Sequence, residues 1–293
     1  MNHQSFTMLR QADFGEKKIH PALAPIIAFL FFFFGGLGIF FLILFPLPAS
    51  PLMKSFWFHL ELIVSFSGTA LFTLAWVRFV EKRPVSTIGF TRKGALKKYI
   101  TGWTWGFLLI SAPVFILWIT GFLSLQISEV HPSLIFILLL SLITFVIQGA
   151  TEEIVVRGWL FPVMAVRTSF WIAVITSFLF FAAMHLLNDG INFLSFLNIT
   201  LFGLFAVGHV LNEGSIWGIC AIHSVWNWAQ GSVYGFAVSG QNLTFPLFQP
   251  TTHGPEWFHG GSFGIEGSIL TSVILGAASF LVWKKAFIKT RES

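Results

Sequence analysis

SLIFILLLSLITFVIQGATEEIVVRGWLFPVMAV, residues 133–166, is apolar enough for a bilayer core yet holds Glu152, Glu153 and Arg157 in its middle. As one helix, its roughly 34 residues would run about 50 Å at 1.5 Å per residue, against a hydrocarbon core of about 30 Å. Such a helix must tilt, break or emerge into water. Ionisable side chains inside an apolar span are costly, and they face a bundle interior where they pair or carry function. The run therefore fixes the class of protein and marks where its chemistry should lie.

Working outward, further apolar runs cover 24–45, 56–80, 100–122, 170–187, 191–211, 215–236 and 267–283. Most reach the ~20 residues that cross a bilayer, which predicts an all-α polytopic membrane protein of about eight helices in one bundle. The composition agrees. The chain of 293 residues is 55% hydrophobic and 10% charged, too few charges to cover a water-facing exterior. Its 37 Phe and 12 Trp suit lipid contact and interfacial anchoring. The run at 24–45 is longer than the ~7–15-residue core of a secretory signal, so it reads as a retained helix.

The net charge of +5 does not point to nucleic acid, because the basic residues sit in short segments between apolar runs. The N-terminal arm, the segment holding Arg78, Lys82, Arg83, Arg92, Lys93, Lys97 and Lys98, and the tail with Lys284, Lys285, Lys289 and Arg291 all fall on one side. The loop 237–266 has no Lys or Arg and falls on the other. Eight helices with both termini cytoplasmic satisfy the positive-inside rule, and an odd number would break it. The chain divides into an arm at 1–23, a membrane domain at 24–283 with its motif-bearing core at 133–236, and a basic tail at 284–293. Cys220 stands alone in an apolar run, which excludes a disulfide framework.

The other polar intruders are His185 in the fifth run, His223 with Asn227 in the seventh, and the lesser pair His209 and Glu213 in the sixth. Glu153 and Arg157 have the spacing and order of a helical salt bridge. Glu152, about 100° around the helix, has no basic residue three or four positions away and is the free carboxylate. Counted from a reversal near Thr168, Glu152 and His185 both lie roughly 25 Å away, level on adjacent antiparallel helices. The same counting puts His223 only about 12 Å from the turn near Gly214, so its joining them requires an offset between helices.

In order, Glu-Glu-x-x-x-Arg (Glu152, Glu153, Arg157), Phe-x-x-x-His (Phe181, His185) and His-x-x-x-Asn (His223, Asn227) resemble the three motifs of the CAAX protease and bacteriocin-processing (CPBP) family. Residues 260–268 are similar to a Gly-rich stretch of bacterial members. The resemblance implies an intramembrane endopeptidase in the plasma membrane of a prokaryote, cutting a membrane-associated or lipidated peptide. Carried over by position, it implies Glu152 as the general base with help from His185. His223 and Asn227 would stabilise the oxyanion, and Glu153, Arg157 and Phe181 would give structural support. The chemistry suits these residue types: a carboxyl in low-dielectric surroundings can activate water, and a His with an Asn one turn away can offer two donors. Zinc held by Glu152, His185 and His223 is an alternative cofactor reading, although no His-Glu-x-x-His helix is present. A transporter passing protons or ions along the same residues is another, without an inverted repeat to support it. A catalytically silent scaffold is the third.

Overall fold

The computed structural model describes residues 6–38 and 50–292. Its bundle helices are α1 (Ala24–Gly36), α2 (Pro51–Ala75), α3 (Ala95–Ile119), α4 (Pro132–Glu153), α5 (Phe170–Ala183), α6 (Phe193–Glu213), α7 (Trp217–Trp228) and α8 (Ile269–Glu292). Three of them switch to π-helix at their ends: α2 through Trp76–Val80, α4 through Ile154–Leu160 and α7 through Ala229–Val233. After its π stretch α4 resumes as α-helix over Phe161–Arg167, so one rod runs from Pro132 to Arg167. Among the described residues, five helices are long and apolar enough to cross a membrane: Pro51–Val80, Ala95–Ile119, Pro132–Arg167, Phe193–Glu213 and Ile269–Lys289. Ala24–Gly36 and Phe170–Ala183 are apolar but shorter. The chain is thus a helical, polytopic membrane protein. Of the run expected at 24–45, residues 39–45 lie outside the described residues.

Local sequence sets the helix starts. Ser50 and His131 each precede a proline at the first helical position, and their side chains accept from Met53 N and Leu134 N. Ser169 caps α5 in the same way, and Asn192 with Ser195 forms a reciprocal capping box at α6. The 184–192 connection turns back at Gly190, whose φ of 73° suits glycine.

Small residues set the closest approaches. A Cβ on Gly106 would lie 2.6 Å from Ile222 O, and Gly102 likewise meets Gly218, so the Gly102-x-x-x-Gly106 face of α3 seats α7 at backbone contact. On its other side α7 packs against α4. Almost every residue of α7 is therefore buried, which explains how a short helix holding His223 and Asn227 persists in an apolar bundle.

The two ends of the bundle differ. At the end rich in Lys and Arg, the described arm residues fold onto the helices. Phe6, Met8, Leu9 and Ala12 are buried, Phe6 stacks on Phe170 at 6.1 Å, and Asp13 pairs with Arg167 at 2.6 Å. This is how the over-long α4 rod emerges: its last turns pass the neighbouring helix ends and are covered by the arm. Helix α8 continues past Trp283 through the basic residues to Glu292. At the opposite end β1 (Leu123–Ile127) pairs antiparallel with β2 (Phe248–Thr252), Leu123 opposite Thr252, and holds the long loop before α8.

Candidate active site

The centre of the site is the contact between α4 and α7. A Cβ on Gly149 would sit 2.8 Å from Ser224 N, so the two backbones nearly touch one turn before Glu152. That proximity places the His223 ring between two consecutive carboxylates. His223 Nδ1 lies 2.9 Å from Glu153 Oε1, and Nε2 lies 3.7 Å from Glu152 Oε2. A carboxylate oxygen only accepts, so Nδ1 carries hydrogen and Nε2 is the nitrogen presented to Glu152.

Glu153 and Arg157 form the expected i, i+4 pair at 3.1 Å, both fully buried. Glu153 does more than brace its helix, since the same oxygen orients His223. The Arg157 guanidinium lies over the Phe181 ring, 4.4 Å from its centroid. Phe181 also stands 5.9 Å from the His223 ring. It is the apolar seat on which α5 meets both motif helices.

His185 does not lie within α5, which ends at Ala183. Its ring takes the place of a helical bond: Nδ1 donates to Phe181 O at 2.8 Å, while its backbone N–H turns to Ala182 O. That side-chain cap ends the helix and leaves Nε2 with a free lone pair. His185 shares a cavity with Glu152, but its hydrogen bond runs to its own helix, and the ionic partner of Glu152 is His223.

A residue not singled out in the sequence completes the arrangement. Gln148 Nε2 donates to Glu152 Oε1 at 2.5 Å, and Gln148 Oε1 accepts from Asn227 Nδ2 at 2.8 Å. The relay Asn227–Gln148–Glu152 fixes the orientation of both amides and occupies one carboxylate oxygen. The other, Glu152 Oε2, is buried and receives no hydrogen bond from the protein. A polar residue one helical turn before Glu152 was the signal available in the sequence.

Glu152, His185, His223, Asn227 and Gln148 all line one cavity of about 380 Å³. Its remaining wall is aromatic on the α1–α2 side, with Phe32, Phe58 and Phe66, and polar where the loop before α8 comes in, with Ser239, Gln241 and Glu266. Glu266 holds that loop down, accepting from Trp226 Nε1 at 3.1 Å and from Ser239 N and Oγ at 2.8 and 2.9 Å. This gives the Gly-rich stretch 260–268 a purpose that its sequence alone did not disclose. His209 and Glu213 pair at 3.2 Å outside the cavity, where Glu213 accepts from Gly218 N and caps the start of α7.

The offset that His223 required comes from the α6–α7 turn. Ile216 N bonds to Gly89 O, and a Cβ on Gly158 would meet both Ile88 and Ile216. The turn thus docks beside Gly158, about 13 Å along α4 before its end at Arg167. Below Val156 the interior is closed: Arg157, Trp159, Leu160, Ile216 and Ile219 are each 0% exposed.

Among the described residues no group of three His, Cys, Asp or Glu side chains is arranged to hold a metal ion. The trio Glu152, His185 and His223 does not make such a group.

The model of the Type II CAAX prenyl endopeptidase Rce1-like family matches residues 132–229, a third of the chain that contains all three motifs. This agrees with the family resemblance drawn from those motifs. No curated protein and no solved structure matches the chain.

Proposed function

We propose that the protein is an intramembrane endopeptidase of the CAAX type, hydrolysing a peptide bond in a membrane-associated or lipidated polypeptide with Glu152 as general base. One observation carries the reading. A buried carboxylate oxygen, Glu152 Oε2, accepts nothing from the protein and faces an imidazole nitrogen 3.7 Å away inside a cavity. Buried polar atoms in native structures are almost always satisfied, and a carboxylate oxygen left open beside a cavity is placed to hold a water.

A water bound to Oε2 gives its proton to Glu152 as its oxygen adds to the scissile carbonyl carbon. His223 Nε2–H, in the imidazolium form flanked by two carboxylates, and the second N–H of Asn227 donate to the oxyanion. The C–N bond then breaks, the proton held by Glu152 passes to the departing nitrogen, and the products are a carboxylic acid, which keeps the second water proton, and an amine; transfer of that proton between them gives carboxylate and ammonium. His185, with its free Nε2 lone pair, accepts from the attacking water and holds it in line. Gln148 is a positioning residue: it pins Oε1, so that Oε2 is the basic oxygen, and aims the remaining Asn227 donor. No step runs through a metal. In this reading α1, α5 and α7 cross the bilayer with the five longer helices, giving eight spans with both termini cytoplasmic.

The test is hydrolysis of prenylated and unprenylated reporter peptides by the purified protein in detergent or liposomes. Wild type should cleave and Glu152→Gln and His223→Ala should not. Equal activity in all three refutes the proposal.

A further inference from the structure

We infer, resting on the peptidase reading above, that the substrate is a membrane-anchored polypeptide cut in its extracytoplasmic juxtamembrane stretch, admitted from the face opposite the basic one. Three observations on the page converge.

The first is charge. The connections on the sheet-bearing face, residues 120–131, 184–192 and 234–268, contain no Lys or Arg, and Lys54 in the first turn of α2 is the lone basic residue at that end. Arg83, Arg92, Lys93, Arg167, Lys284 and Lys285 gather at the other. The positive-inside rule puts the second group in the cytoplasm.

The second is closure. Between the site and the basic face lies the fully buried layer around Arg157, Trp159 and Leu160, sealed further out by Glu81, which accepts from Trp159 Nε1 at 2.6 Å. A peptide cannot reach Glu152 from that side without dismantling the layer.

The third is the mouth. Met184 and Asn188 of the 184–192 connection and Gln241 and Leu243 of the loop before α8 are among the cavity-lining residues, and Gln241 is exposed to solvent. Because α5 stops at Ala183, this irregular backbone reaches down to the site, a placement tolerated where such backbone is buried in protein or lines a wet cavity. Beside the mouth, Leu187 and Phe193 are 97% and 78% exposed, and inside it the wall turns aromatic at Phe58 and Phe66. A polar rim leading to an apolar wall fits a chain whose anchor stays in lipid while its adjoining stretch leaves the membrane on that face.

The test uses the full chain in intact cells. Cys220, the sole and buried cysteine, is replaced by Ala, and single cysteines are introduced as Gln241→Cys, Leu243→Cys and, for the basic face, Lys93→Cys. A membrane-impermeant maleimide added outside should label the first two and leave Lys93→Cys unlabelled until the cells are opened. The reverse pattern overturns the inference. New protein termini are then compared between cells carrying wild type and Glu152→Gln. Glu152-dependent termini on extracytoplasmic segments support it, and termini confined to cytoplasmic segments overturn it even if hydrolysis is real. Absence of any Glu152-dependent terminus removes the peptidase reading and this inference with it, while the labelling pattern still decides the orientation.

Discussion

Two buried Glu–Arg pairs lie among the described residues of this bundle, and they are built differently. At the basic end, Glu81 accepts from Trp76 and Trp159 on one oxygen and from Arg83 on the other, and Arg83 donates in turn to Thr87. Only one atom of that pair, Arg83 Nη2, lacks a partner. In the second pair Glu153 Oε2, Arg157 Nε and Arg157 Nη2 are buried without one, and so is Oε2 of the neighbouring Glu152, which lines the cavity. A pair that only fastens helices together is closed on itself, because unpaired buried charge costs stability and returns nothing. A cluster left with open hydrogen-bonding capacity retains that cost for a reason outside the fold.

The contrast can be broken at four points. Glu152→Gln keeps shape and Gln148 contact but removes the proposed base, so kcat should fall by about 10³-fold, within the range for a general base, while thermal unfolding in detergent is nearly unchanged. Glu81→Ala should do the opposite. It strands Arg83 and should cost roughly 3–5 kcal/mol of stability, with the kcat of the folded fraction retained, as read by unfolding and by active-site titration. Gln148→Met, similar in size but without hydrogen bonds, should lower kcat by about 10- to 100-fold with KM little changed. Combined with Asn227→Ala, its effect should be less than multiplicative, since both act through one relay. Independent, multiplicative losses would assign Gln148 to packing alone.

The smallest effect lies outside the membrane. Hydrogen bonds from Arg167, and then from Lys18, hold the Asp13 carboxyl below its ordinary value of 3.8. A lowered folded-state value means that the contribution is complete above about pH 4 and disappears as pH falls through the folded value. Asp13→Asn should therefore melt slightly earlier than wild type at neutral pH, and the two should converge in strong acid. A difference that persists there would assign the arm's hold to packing of Phe6 and Leu9 instead.

Much of the site was legible in the sequence because charge inside an apolar run has few explanations. Glu152, His185, His223 and Asn227 stood out for that reason, and Glu153 with Arg157 through helical spacing. What spacing could not give was relative depth. Measuring each helix from its own turn treats all turns as lying at one level, whereas the α6–α7 turn docks against Gly158, well short of the end of α4. Nor could spacing show that His185 would cap its own helix. Gln148 was overlooked because an isolated amide draws less notice than a carboxylate, although it sits one turn from Glu152. The ends of the long rod followed composition closely, but its cover by the arm depends on a fold that brings Asp13 to Arg167.

The π stretch that follows Glu153 gears two distant parts of the protein together. A π turn holds more residues than an α turn, so excising one residue from Ile154–Leu160 would let the rod revert to ordinary winding with little change in length. The rotation lost with that residue is nearly made up by the tighter α winding of the six that remain, so the segment beyond keeps its facing relative to Glu152. Arg167 would then keep its grip on the arm while the carboxylates keep facing His223, whereas a one-residue deletion in the ordinary α-helical part of the rod has no slack winding to absorb it and throws the site and its anchorage out of phase.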